Sequence, residues 1–124
     1  SQLKRVVRTN YSSPQIHGSK VVAMVLTTPE LRALWEQELE GMRVRILEMR
    51  NAFVEKLKQK APAHDFEFVR EQVGMFSYSG LTKAQVDHLR KEHSIYAVDT
   101  GRICVAALNS KNIDVVIDAI AKVL

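Results

Sequence analysis

The sequence lacks the features that mark secreted and membrane proteins. It has one cysteine, Cys104, among 124 residues, so no internal disulfide can form, and this is typical of a reducing compartment such as the cytoplasm. No run approaches the about 18 apolar residues that span a bilayer. The first residues, SQLKRVVRTN, lack the apolar centre of a secretory signal and an initiating methionine, which indicates processing or truncation. We predict a cytoplasmic protein without a membrane partner and with a single domain over residues 1–124.

Motifs that carry common chemistry are also missing. There is no P-loop, no G-x-G-x-x-G turn for a nucleotide and no G-x-S-x-G elbow for a hydrolase. The four histidines are scattered, and His88 with Glu92 on one helix face supplies two metal ligands without a third. The sequence therefore predicts no catalytic residue and no metal site in this chain.

Positive charge is in excess but is not concentrated. The net charge is +4, and the basic residues in the middle of the chain alternate with glutamates, which is typical of the solvated face of a helix. These basic residues are Arg43, Arg45, Arg50, Lys56, Lys58 and Lys60. Because no aromatic RNA-binding signature or basic tail accompanies them, we predict no nucleic-acid partner.

Hydrophobic spacing in the first half predicts three helices. The first ends near Asn10, and the second runs from about Gly18 to Leu26. The third begins at the TTPEL segment, where Pro29 suits a first helical turn, and continues to Ala61. It contains roughly 32 residues and spans about 48 Å. Since this is long for a small domain, we predict a spine that reaches beyond it.

The second half adds a small sheet. Two short strands are predicted in FEFVREQVGMFSYSGL. A helix follows, because TKAQ at residues 82–85 is a capping box. Two further strands are predicted at SIYAV and GRICVAAL. Asn109 or Ser110 then caps a final helix. The element order α, α, long α, ββ, α, ββ, α predicts an α+β fold in which helices cover a small sheet.

One arginine stands where a strand is predicted to begin. Arg102 follows Gly101 directly and precedes the apolar run ICVAA. A guanidinium in this setting must reach water, pair with an internal acid or await an external anion. On pattern alone, an ion pair with Asp99 ranks ahead of ligand binding. By the same standard Arg8 is an ordinary surface charge, and Phe76 could be a core residue.

Four segments carry more information when they are taken together and in order. They are VVRTNYSSP (6–14), LWEQELEGMRVRILEMR (34–50), VGMFSYSGLTKAQVDHLR (73–90) and IYAVDTGRICVAALN (95–109). With this spacing, the chain resembles the aspartate and aromatic amino-acid aminotransferases over its whole length. In that class I, fold-type I family of pyridoxal-phosphate enzymes, such a segment is the C-terminal part: most of the small domain and the long helix that joins it to the large one.

The resemblance implies substrate-binding roles for four residues. Arg102 would bind the substrate α-carboxylate. Arg8 would cross the dimer interface to take the side-chain carboxylate of aspartate or glutamate in the partner's site. Ser12 would make a lesser contact from the same interface loop. Phe76 would pack near bound substrate as the small domain closes.

The resemblance also implies what the intact protein does. It would be a homodimer that transfers amino groups between aspartate or aromatic amino acids and 2-oxoglutarate. The family's Schiff-base lysine and the other residues that hold pyridoxal phosphate lie upstream of Ser1, so the 124 residues alone would neither bind this cofactor nor be active. The alternative is a free-standing, non-catalytic α+β module that binds a small carboxylate or a protein partner.

Overall fold

The computed structural model describes residues 1–11 and 15–124. These residues form two compact units, Ser1–Glu40 and Gly41–Leu124. The helices are α1 (Gln2–Tyr11), α2 (Ile16–Thr27), α3 (Pro29–Lys60), α4 (Glu67–Arg70), α5 (Lys83–His93) and α6 (Ile113–Val123), and the strands are β1 (Phe76–Tyr78) and β2 (Arg102–Cys104). Helix α3, which has 32 residues, contributes to both units. None of the helices in the described ranges combines the length and apolar character that a membrane crossing requires.

The helices confirm most of the expectations from hydrophobic spacing. α1, α2 and α3 lie where they are predicted, and Pro29 is the first residue of α3. The capping box of α5 is also present: the Thr82 hydroxyl accepts from the Gln85 amide, and the Gln85 side chain accepts from the Thr82 amide at 2.8 Å. The last helix begins later than predicted, at Ile113, because Asn109 and the residues after it form a turn first.

Two of the four predicted strands form. β1 and β2 pair antiparallel in a two-stranded sheet, with Phe76 opposite Cys104, Ser77 opposite Ile103 and Tyr78 opposite Arg102. Strand β2 continues into a 3₁₀ turn at Val105–Ala107. The fold is therefore mostly helical with a small antiparallel sheet.

The strand predicted at FEFV is wrong, since this segment contains the short helix α4. Phe66 and Val69 are buried while Phe68 is 40% exposed, so the inward positions are three residues apart instead of alternating. The Asp65 carboxylate accepts from the Glu67 amide at 2.9 Å and starts the turn. Aromatic and β-branched composition suggested a strand, but local hydrogen bonding and packing favour a helical turn.

The strand predicted at SIYAV is wrong as well. Ser94 ends α5 in the left-handed conformation (φ 54°), and the Ile95 amide donates back to the Leu89 carbonyl. Burial then alternates as in a strand, with Ile95 and Ala97 half-buried and Tyr96 exposed. The segment still has no ladder partner in the two-stranded sheet. Alternating burial therefore indicates an extended, half-buried chain, but a β-strand also requires hydrogen bonds to a neighbouring strand.

The unit Gly41–Leu124 is organised around a hydrophobic core. Phe53 is fully buried and meets Phe66 edge to face at 6.4 Å between ring centroids. Helices α5 and α6 pack against each other and contribute inward side chains. The core residues are Phe53, Val54, Leu57, Phe66, Val69, Leu81, Val86, Leu89, Val105, Leu108, Ile113, Ile117, Ala119 and Ile120. The two strands of this unit carry two of the predicted site residues, Phe76 and Arg102.

Candidate functional site

Arg102 and Phe76 lie together on the exposed face of the sheet. Arg102 begins β2 and Phe76 begins β1, and the Arg102 guanidinium carbon lies 5.0 Å from the centroid of the Phe76 ring. Phe76 is 46% exposed, so it is not a core residue. A cation over an aromatic face is attracted by the ring quadrupole, which restrains the guanidinium without occupying its five donors. Two of the predicted site residues are thus brought into contact.

The backbone before Arg102 is fixed by Gly101. This glycine has φ +82°, and a Cβ built on it would lie 2.6 Å from the Leu81 carbonyl oxygen. Its own carbonyl accepts from both the amide (2.9 Å) and the hydroxyl (2.7 Å) of Ser79, which is buried. Only glycine satisfies both the conformation and the close approach. The direction in which Arg102 leaves the turn is therefore determined by the fold.

Asp99 does not pair with Arg102, so the expected internal ion pair is wrong. The Asp99 carboxylate accepts from Lys83 Nζ at 2.6 Å and from Arg90 Nη2 at 2.8 Å, both on α5. These bonds lower the pKa of Asp99 to about 2. Within the described residues, no carboxylate forms an ion pair with Arg102. Arg102 remains exposed.

The basic residues of α3 include one that is not on a solvated face. Arg50 is 2% exposed and donates to the carbonyls of Val69 (3.2 Å) and Gly74 (2.5 Å) and to the Ser77 hydroxyl. Burial lowers the pKa of Arg50. Its position one turn from Ile46 and Phe53 in the apolar stripe was the signal in the sequence. The alternation with glutamates predicts a solvated position for Arg50 too, and this prediction is wrong because alternation does not show which face of the helix is inward.

Arg8 and Ser12 belong to the other part of the chain. Arg8 lies in the last turn of α1, in the unit Ser1–Glu40, and its side chain is exposed. Ser12 lies outside the described residues. Their predicted roles therefore stay predictions.

The described residues do not fit pyridoxal phosphate on their own. That cofactor needs a lysine in a cavity with an acid and phosphate ligands. The cavity beside β2 has a volume of about 140 Å³ and a mostly apolar lining that includes Phe53, Leu81 and Ile103, without a lysine. No lysine in the described ranges is buried. Nor do these ranges contain a group of three side chains that could hold a metal.

An exposed guanidinium that follows a glycine-specific turn, lies over an aromatic ring and forms no ion pair within the described residues has the donor geometry that suits a planar carboxylate. The profile of the family "Aminotransferase class I and II" matches residues 1–120, so the chain belongs to this family.

The individual relatives that match the chain also carry aminotransferase names. The aspartate aminotransferase of Pseudomonas aeruginosa is 60% identical over 124 residues, and the aromatic-amino-acid aminotransferase of Escherichia coli is 49% identical over 123. The chain spans 31% of the length of each. The structure superimposes on the aromatic-amino-acid aminotransferase of Burkholderia pseudomallei with a TM-score of 0.93 and 65% identity, covering 99% of this chain and 31% of that one. That relative is covalently bound to pyridoxal phosphate.

Proposed function

We propose that this chain is the C-terminal part of an aminotransferase that exchanges amino groups between aspartate or aromatic amino acids and 2-oxoglutarate. Relatives with aspartate and with aromatic activities in their names match it at similar identities, and the Psychrobacter aromatic aminotransferase, 43% identical, was crystallised with aspartic acid. Family membership favours this function over a free-standing binding module. In this proposal the intact protein is a cytoplasmic homodimer, and the unit Gly41–Leu124 is most of its small domain.

The observation that carries the proposal is that Arg102 is exposed and does not pair with the nearby acid. Its guanidinium is exposed, its backbone is fixed by Gly101, and the nearby acid Asp99 is held by Lys83 and Arg90. A planar guanidinium binds a planar carboxylate through two parallel hydrogen bonds, which fixes the position and rotation of the bound molecule. We infer that Arg102 binds the α-carboxylate that all amino-acid substrates share.

The other site residues have roles that depend on substrate or on closure. Phe76, stacked on Arg102, would shield the bound carboxylate from water and so strengthen its hydrogen bonds. Arg8 would bind the second carboxylate of aspartate or glutamate in the site of the partner subunit, with Ser12 as a lesser contact. Arg102 would then serve every substrate, whereas Arg8 would serve dicarboxylates.

The intact enzyme would use pyridoxal phosphate, as the Burkholderia pseudomallei relative does. Because the described residues do not fit this cofactor, its lysine and phosphate ligands would lie in the remainder of the protein. We therefore expect the 124 residues alone to bind no pyridoxal phosphate and to be inactive.

The test uses the full-length protein with aspartate and with tyrosine as amino donors. Arg102→Ala should lower kcat/KM by about 30-fold or more for both donors, since losing one partner of a charged pair costs about 2–5 kcal/mol. Arg8→Ala should lower kcat/KM for aspartate selectively. The matched controls are Arg5→Ala, which removes an exposed cation from α1, the helix of Arg8, and Lys91→Ala, which removes one from α5 in the unit that contains Arg102. An Arg102→Ala enzyme as active as its Lys91→Ala control would refute the assignment.

A further inference from the structure

Arg50 is a buried cation that the proposed chemistry does not use. Its three acceptors are two carbonyls and a hydroxyl, and no acid of the described chain forms an ion pair with it. A buried charge without an opposite charge is costly, and an apolar side chain would fill the same volume more simply. The arrangement therefore indicates that the position of the acceptors, and not net stability, is what Arg50 supplies.

The acceptors lie on the segment that carries Phe76. Gly74 comes two residues before Phe76, and Ser77 follows it inside β1. Ser77 is 2% exposed while Phe76 and Tyr78 point to the exposed face. A shift of one residue in a strand exchanges its two faces. The hydrogen bond from Arg50 to Ser77 exists only in the register that directs Phe76 outward.

A second arginine of α3 holds the other strand. Arg45 donates to the carbonyls of Ala106 (2.9 Å) and Leu108 (3.0 Å), just after β2 ends at Cys104. Two strands of three residues are marginal as an isolated sheet, so their relative position depends on such external bonds. Through Arg45 and Arg50, helix α3 therefore holds the backbone just after the end of β2 and the segment that begins β1.

We propose that Arg50, assisted by Arg45, is a positioning residue for the carboxylate site: it holds β1 in the register that seats the Phe76 ring against the Arg102 guanidinium. The inference rests on the proposed function of Arg102. Arg50 does not touch substrate in this account. It acts through Ser77 and Phe76, and the effect reaches the substrate only at Arg102.

The experiment measures steady-state kinetics and thermal unfolding of the full-length enzyme. Ser77→Ala removes one acceptor with little loss of volume, and Arg50→Lys keeps the charge but loses the planar fork. We expect both to raise KM about tenfold for aspartate and for tyrosine alike, with a smaller change in kcat. Val54→Ala, one turn along the same helix and fully buried, is the control. It should lower the unfolding temperature and leave KM unchanged.

A double-variant cycle separates positioning from general damage. If Ser77 acts through Arg102, adding Ser77→Ala to an Arg102→Ala enzyme should change KM by less than about twofold. Independent, multiplicative losses would overturn the proposal. So would an unchanged KM in Ser77→Ala and Arg50→Lys while Arg102→Ala raises KM, and in that case the proposed function stands. An Arg102→Ala enzyme with normal KM would refute the proposed function and this inference with it.

Discussion

The two compact units of the chain differ in where their apolar side chains lie. In Gly41–Leu124, side chains such as Phe53 and Ile117 are at most 1% exposed. In Ser1–Glu40, α1 and α2 contain no buried residue in the described part of the chain, and Leu3 and Met24 are 78% and 61% exposed. The unit Gly41–Leu124 has a core of its own, whereas the described part of Ser1–Glu40 consists of helices with apolar residues at the surface.

This difference shows that helical periodicity does not determine burial. Helix α3 has apolar residues along its whole length, yet Leu34 and Leu39 in its first part are exposed while Phe53 and Leu57 in its last part are buried. Most helical stability in proteins comes from packing of an apolar face. For function, the consequence is that Arg102 lies on a unit with its own core, whereas Arg8 lies on a unit whose described residues include none that is buried.

The largest effect should follow from truncating the core. Phe53→Ala removes a fully buried ring that meets Phe66, and such changes cost about 3–5 kcal/mol. Leu34→Ala on the same helix removes a side chain that is 52% exposed, and we expect a change within about 0.5 kcal/mol. Urea unfolding of the chain followed by circular dichroism measures both. Similar losses for the two variants would mean that the two units do not differ as the structure shows.

An intermediate effect should follow from adding one methyl group at the turn before Arg102. Gly101→Ala places a Cβ 2.6 Å from the Leu81 carbonyl oxygen at φ +82°, so we expect a loss of at least about 2 kcal/mol. Gly18→Ala, inside α2 with nothing within 4 Å, should instead stabilise its helix by about 0.5–1 kcal/mol. Opposite signs in thermal unfolding are the expected result. A neutral Gly101→Ala would show that the turn relaxes freely.

All the helices described above except the short α4 could be predicted from the sequence, because their signals are local. Pro29 begins α3, and the Thr82–Gln85 capping box begins α5, as the pattern indicated. The strands were predicted half correctly, since a strand needs a partner that composition does not reveal. SIYAV has the alternation of a strand without a ladder, and FEFV has strand-forming residues in a helical turn.

The features of the candidate site that depend on one residue could be predicted from the sequence, whereas those that depend on contacts between several elements could not. Gly101 beside Arg102 stood out in the sequence, and the family resemblance supplied Phe76. The capture of Asp99 by Lys83 and Arg90 depends on how α5 packs beside the turn, which no local pattern contains. The burial of Arg50 likewise required knowing which face of α3 is inward.

The smallest effect should come from the exposed ion pairs of the unit Gly41–Leu124. Lys83 and Arg90 lower the pKa of Asp99 from 3.8 to about 2. A carboxyl group whose pKa is lower in the folded than in the unfolded protein stabilises the fold at pH values above its unfolded-state pKa. For Asp99, this stability is lost as the pH falls from about 4 to about 2. Lys83→Gln should therefore make the stability depend less on pH in this range. The control is Lys91→Gln, which removes an equal charge from α5 at a residue that forms no ion pair among the described residues.

The measurement is the urea midpoint of each variant between about pH 5 and pH 2.5. Asp118, whose pKa is also lowered by its hydrogen bond from Lys60, titrates in both variants, so its contribution cancels in the comparison. The difference between the variants should be largest near pH 5 and shrink as the pH falls and Asp99 becomes protonated. A difference that stays constant down to the lowest pH would show that Lys83 stabilises the turn by packing and not through Asp99. Because the pair is exposed, the effect at any pH should stay well below that of Phe53→Ala.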